Sequence, residues 1–72
     1  MVRTVKKPEE RRLEIILAAR HLFATKEYTN TTMRDVMDKL DIAKGTIYYY
    51  FRSKEEWLEA VIEYLVDEYI AN

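Results

Sequence analysis

The chain has no cysteine, and only one glycine and one proline in 72 residues. Without cysteine there are no disulfides and no thiolate metal sites, and nothing points to an oxidising compartment. So little Gly and Pro removes the turn chemistry that hairpins and sheets require. No stretch approaches the roughly 20 apolar residues of a membrane span. The basic start is not followed by the apolar run of a signal peptide. These absences lead to the expectation of a soluble, cytoplasmic, all-helical protein with no membrane partner. Catalysis is also poorly provided for. There is one histidine and no Gly-rich phosphate loop. His21 sits among apolar residues of the first expected helix, the setting of a structural histidine. The acids Glu55, Glu56, Glu59, Glu63, Asp67 and Glu68 are strung along a helix without His or Cys support, which a metal site needs. The expectation is therefore no enzyme, no catalytic residue, no metal and no cofactor.

Composition supplies one small core. Hydrophobic residues make up 49% of the chain, ample for a single domain. A domain this short buries only about 60% of the surface its unfolded chain exposes, so its stability is marginal. The net charge of -1 hides a segregation. Residues 1–12 carry five Lys/Arg against two Glu, and residues 43–54 carry three basic residues and no acid. Residues 55–72 carry six acids and no base. Two basic islands beside an acidic tail are compatible with a nucleic-acid partner, and equally with a solvated surface.

Periodicity places four helices. Residues 1–7 are basic and aperiodic, and read as a flexible arm. Pro8 suits a first helical turn, and Glu9 and Glu10 complement the positive end of the helix dipole. Apolar residues then recur at Leu13, Ile16, Ala19 and Phe23, with Ile15 and Leu22 alongside, which predicts a helix from about Pro8 to Lys26. Glu27 to Asn30 break the pattern. Thr32 reads as an N-cap with Asp35 three residues on, opening a short helix with Val36, Met37 and Leu40 inward. Asp41 tolerates a left-handed turn, and Ile42 can plug that turn into the core. A third helix spans about Ala43 to Tyr50 with Ile47 and Phe51 inward. Ser53-Lys54-Glu55-Glu56 reads as a full capping box for a fourth, running to about Tyr69.

Two short helices joined by a three- or four-residue turn form the core of a helix-turn-helix, whose second helix enters the DNA major groove. Here that helix opens with Ala43-Lys44-Gly45-Thr46. Lys44 can reach a guanine edge or a phosphate. Gly45 costs a helix about 1 kcal/mol relative to alanine, tolerated best where the backbone must approach a partner closely. Thr46 offers a hydroxyl and a methyl. Tyr48, Tyr49, Tyr50 and Phe51 cannot share one core face, because successive residues point about 100° apart. Phe51 is expected inside, with Tyr49 and Tyr50 exposed and donating to phosphates. Lys54, in a first helical turn that already favours anions, reads as a phosphate clamp.

Ile15 to Phe23, Tyr28, Thr31-Thr32, Val36 and the run Lys44-Gly45-Thr46-Ile47-Tyr48-Tyr49-Tyr50-Phe51-Arg52-Ser53-Lys54-Glu55 together resemble the N-terminal DNA-binding domain of the TetR family of transcriptional regulators. The likeness covers roughly residues 12–62, and the run from Lys44 to Glu55 is its most specific part. It implies a three-helix DNA-binding domain over residues 8–53. The helix of residues 54–72 would lead into a larger domain for dimerisation and ligand binding. It further implies a homodimeric repressor that reads a pseudo-palindromic operator in double-stranded DNA and releases it when a small-molecule effector binds elsewhere. By the same resemblance, Lys44, Gly45 and Thr46 touch bases, and Tyr48 touches a base methyl or the backbone. Thr32, Tyr49, Tyr50 and Lys54 meet phosphates, and Arg34 lies near the groove. The chain departs from the pattern at Glu27 and Asp41, where glycine is usual, at Met37, where alanine is usual, and at Ala43, where Ser or Thr caps the helix.

The fourth helix carries Trp57, Leu58, Val61, Ile62, Leu65, Val66, Tyr69 and Ile70. A 58–61–65 seam is expected to pack inward. The rest exceeds what one side of a small domain buries, so a second partner is expected, such as the remainder of a longer protein. The alternative reading is a helical protein-interaction module that binds no DNA. Gly45 inside the third helix and an exposed Tyr49 and Tyr50 distinguish the two, because an interaction module needs neither.

Overall fold

The computed structural model describes residues 7–71, so the expected basic arm lies outside the described residues except for Lys7. Four helices follow in order: α1 Pro8–Lys26, α2 Met33–Leu40, α3 Lys44–Tyr50 and α4 Lys54–Ala71. There is no strand among the described residues. α1 packs against both α2 and α4, and α2 packs against α3. The core gathers Ile15, Ile16, Ala18 and Ala19 of α1, Val36 of α2, Ile47 and Phe51 of and after α3, and Trp57, Ala60 and Val61 of α4.

α1 begins with Pro8 in its first turn and Lys7 as a cap that offers no side-chain bond. Glu9 and Glu10 follow at the start and Lys26 closes the last turn, all oriented favourably to the dipole. Leu13, expected inward, is 40% exposed. α1 is apolar around much of its circumference, so neighbours rather than periodicity choose the buried stripe, and it centres on residues 15, 16, 18 and 19. Glu27 ends the helix at φ 73° and ψ 149°, a region that glycine enters and side-chain-bearing residues pay strain to hold. That strain is about 1–3 kcal/mol. Glycine would relieve it and lose about 0.5–1 kcal/mol of unfolded-chain entropy. Glu27→Gly is thus expected to stabilise the chain by about 1 kcal/mol, raising a thermal midpoint by about 4–8 °C. A melt followed by circular dichroism checks this.

α2 carries the expected cap. Thr32 Oγ1 accepts from the Asp35 N–H at 3.2 Å, and the Asp35 carboxylate accepts from the Thr32 N–H at 2.8 Å. The same carboxylate takes a hydrogen bond from Lys26 Nζ at 2.9 Å, tying the end of α1 to the start of α2. The Lys26 bond and then the Thr32 N–H hold Asp35 below the usual carboxylate range. Asp41 closes α2 in the left-handed region, φ 54° and ψ 51°, as expected, and the N–H of half-buried Ile42 reaches Met37 O at 3.1 Å.

α3 lacks a side-chain cap at Ala43, so the Thr46 and Ile47 N–H groups close onto the Ala43 carbonyl at 3.0 and 3.3 Å. Ile47 and Phe51 are buried as expected. At α4 the anticipated reciprocal box is only half formed. Ser53 Oγ accepts from the Glu56 N–H at 3.2 Å, but the Glu56 carboxylate takes the Arg52 N–H at 3.1 Å instead of that of Ser53. The Glu56 side chain reaches back four residues and pins the α3–α4 junction. The inward face of α4 is Trp57, Ala60 and Val61 with Tyr64 half-buried, so the 58–61–65 seam is displaced: Leu58 is half-buried and Leu65 is exposed. Arg20 secures this face, 3.6 Å from Glu68 and with its guanidinium carbon 5.8 Å from the centre of the Tyr64 ring.

Candidate nucleic-acid interface

The turn of residues 41–43 separates α2 from α3, and the buried Val36 and Ile47 lock the two helices to the core. This anchoring leaves the opposite side of α3 outward. Lys44, Gly45 and Tyr49 are exposed, Thr46 is half-buried, and Tyr49 keeps 78% of its surface free. A Cβ built on Gly45 would meet nothing within 4 Å, so no neighbour inside the chain requires glycine there. The space in front of it is open to a partner.

Arg34, Lys44 and Tyr48 come together with Met33 and Met37 around a shallow groove of about 230 Å³ between α2 and α3. Lys44 Nζ stands 5.6 Å from the centre of the Tyr48 ring, and Arg34 Nε lies 3.7 Å from the Asp38 carboxylate. Both cations remain at the surface, where they can neutralise a polyanion. Thr32 is exposed at the start of α2. Its oxygen accepts the capping bond, which leaves its hydroxyl proton for an outside acceptor.

Two expected site residues sit differently. Tyr50 is half-buried against the core instead of exposed, and it lines a separate hollow with Arg12, Glu56, Glu59 and Glu63, away from Lys44 and Arg34. Its ring meets Tyr49 edge-on at 5.0 Å between ring centres. Lys54 is turned inward. Its Nζ donates to the Tyr28 carbonyl at 2.7 Å and the Thr31 carbonyl at 3.0 Å, and stands 4.3 Å from the centre of the Tyr28 ring. The Thr31 side chain is buried, and its single hydroxyl proton goes to the Glu27 carbonyl at 2.7 Å, with the Leu22 carbonyl a more distant second acceptor at 3.3 Å. Tyr28 packs edge-on against Phe23. The loop that presents Thr32 is thus held from α1 through Thr31 and from α4 through Lys54. Sequence reasoning missed this knot, because it joins residues 23 and 26 positions apart. It also missed Met33 as a groove residue.

These features define a helix-turn-helix domain, braced from behind by a fourth helix. The chain belongs to the tetR family of bacterial regulatory proteins, whose pattern matches residues 15–61. It is 36% identical over 64 residues to the HTH-type transcriptional repressor KstR2 of Mycolicibacterium smegmatis, covering 89% of this chain and 31% of that protein. It is 38% identical to the HTH-type transcriptional regulator YfiR of Bacillus subtilis, over 83% of this chain and 29% of the relative. Identity to the HTH-type transcriptional regulator TtgR of Pseudomonas putida is 32%, over 88% of this chain and 30% of the relative. The chain therefore spans about three tenths of the length of the curated relatives it matches. No helix among the described residues is long and apolar enough to cross a membrane.

Proposed function

We propose that this chain binds double-stranded DNA, with α3 in the major groove, as the DNA-reading part of a transcriptional regulator. The observation that carries the reading is the exposed start of α3. A glycine there faces open space between a lysine and a threonine, flanked by the outward Tyr49 and by Arg34. Lys44, Gly45 and Thr46 approach base edges, with Tyr48 beside them. Thr32 and Tyr49 donate to phosphates, and Arg34 and Lys44 supply the charge that releases counterions. Lys54 acts mainly by holding the loop that carries Thr32, and Tyr50 acts by packing. Residues 8–53 form the binding unit and residues 54–72 the connecting helix. In a longer protein of the cytoplasm, two copies would read a pseudo-palindromic operator as a repressor, and an effector would act from another domain.

The test is fluorescence anisotropy of the chain against labelled random duplex DNA across a salt series. Affinity is expected to fall steeply and linearly in log–log form as salt rises. Gly45→Ala sharpens it. The variant should gain up to about 1 kcal/mol of stability, because nothing inside the chain opposes a methyl, yet bind DNA more weakly. An unchanged affinity would remove the argument from close approach.

A second reading is favoured by α4, where Ile62, Val66, Tyr69 and Ile70 are 47–85% exposed. That face suits a protein partner. Absence of binding at low salt would leave protein interaction as the function.

A further inference from the structure

We infer that the groove between α2 and α3 is a subsite for the 5-methyl edge of thymine, and that Met37, with Met33, makes this chain selective for a thymine at one position of each site it reads. The inference rests on the DNA-binding reading above. Met33 and Met37 stand one turn apart on α2, and Lys44 and Tyr48 one turn apart on α3, so the groove is the seam between facing stripes of the two helices. Its floor is two half-buried thioethers and its wall a phenol ring with 39% of its surface exposed. Its rim carries the Lys44 and Arg34 cations, with the Asp38 carboxylate beside Arg34.

That combination divides the work between a polar rim and an apolar floor, and the floor favours one occupant. The cationic rim draws a polyanion to the groove, but an apolar floor cannot pay for desolvating a phosphate. Guanine and adenine present ring-nitrogen acceptors in the major groove, which Lys44 and Arg34 can meet from the rim, but the thioethers of the floor have no proton to donate to them. Cytosine presents an amine, for which a thioether is a weak acceptor. The apolar group among the four major-groove patterns is the C5-methyl of thymine. Methionine, flexible and polarisable, closes on so small a group without a preformed slot. Met37 occupies a position where the family resemblance leads one to expect alanine, which would leave the floor without this side chain. What is new is the part played by α2: Met37 and Met33 add their thioethers to the base-methyl contact that the resemblance assigns to Tyr48 on α3.

The test begins with a duplex selected from a random pool by the chain itself. Each thymine of that duplex is then replaced in turn by deoxyuridine, which removes the methyl and nothing else, and affinity is read by anisotropy. One thymine per half-site is expected to be sensitive, with binding weakened about fourfold, the equivalent of about 0.8 kcal/mol for one buried methyl group. Met37→Ala, shown by circular dichroism to keep its helices, should bind the thymine and deoxyuridine duplexes alike at that position. Should Met37→Ala lose its helices, Met33→Ala takes its place with a reduced thymine preference expected. The inference is overturned if the chain prefers the selected duplex to a scrambled one yet ignores every thymine-to-deoxyuridine change. It is equally overturned if folded methionine variants keep the full methyl sensitivity. Equal and salt-independent signals with selected and scrambled duplexes would instead bring down the DNA-binding reading on which it rests.

Discussion

Replacing Lys54 by alanine is expected to destabilise the chain by about 3–4 kcal/mol while flattening the salt dependence of DNA binding by less than half a unit. The first figure follows from the two hydrogen bonds that the ammonium donates to the carbonyls of Tyr28 and Thr31. Hydrogen bonds from charged groups contribute about 1.5–3 kcal/mol each, and the partly exposed setting places these at the low end. The ammonium also lies over the Tyr28 ring, a contact of about 0.5–1 kcal/mol at such a site. The second figure follows from the same geometry. A lysine that neutralises a phosphate gives a slope change of about one unit when removed, whereas two of the three Lys54 protons are already engaged inside the chain. Thermal melts and a salt series, run in the cold so that both proteins are folded, read the two quantities separately. A full unit of slope with little loss of stability would make Lys54 a phosphate ligand after all.

Ile47→Ala is expected to be more damaging and by a different route. Ile47 is fully buried and is the residue through which α3 grips the core. Isoleucine-to-alanine changes in a core cost about 2–5 kcal/mol, and a domain this small holds a total stability near the low end of about 5–15 kcal/mol. Most of the helical circular dichroism should disappear, and DNA binding with it. Tyr49→Ala, on the same helix but facing outward, should leave stability within about 0.5 kcal/mol, as surface changes do, and still weaken binding. A pair of variants on one helix thus separates holding α3 from using it. Retention of the helical signal by Ile47→Ala would mean that α3 is anchored elsewhere.

The parts of the fold that were legible in the sequence are those set by neighbours in the chain. The span of α1, the Thr32–Asp35 box, the left-handed Asp41 and the inward Ile47 and Phe51 all follow from spacings of four residues or fewer. What escaped was phase and distance. α1 and α4 carry apolar residues on more than one face, so periodicity could not choose between Leu13 and Ile15, or between a 58–61–65 seam and the Trp57–Ala60–Val61 stripe. Contacts with other helices made that choice. Lys54 was identifiable as a cation in a first helical turn, but its carbonyl partners lie on a distant loop. Tyr50 was one of three consecutive tyrosines, and only the turn of α3 against α4 decided which of them packs. Glu27 was visible as a departure from glycine, and its positive φ is the physical reason glycine suits the position.

Trp57 gives the chain an optical property of its own. It is the only tryptophan, it is wholly buried, and its ring meets Phe51 edge-on with 6.4 Å between ring centres. Its indole N–H finds no hydrogen-bond partner among the described residues. An indole shielded from solvent dipoles emits toward the blue, and water reaching it moves the emission to the red. The chromophore sits behind the proposed DNA-reading face, in the core that Ile47 and Phe51 share. A duplex docking on Tyr49 leaves its colour untouched, whereas loosening of that core changes it, so intrinsic emission and a labelled duplex report folding and occupancy on independent channels in one cuvette.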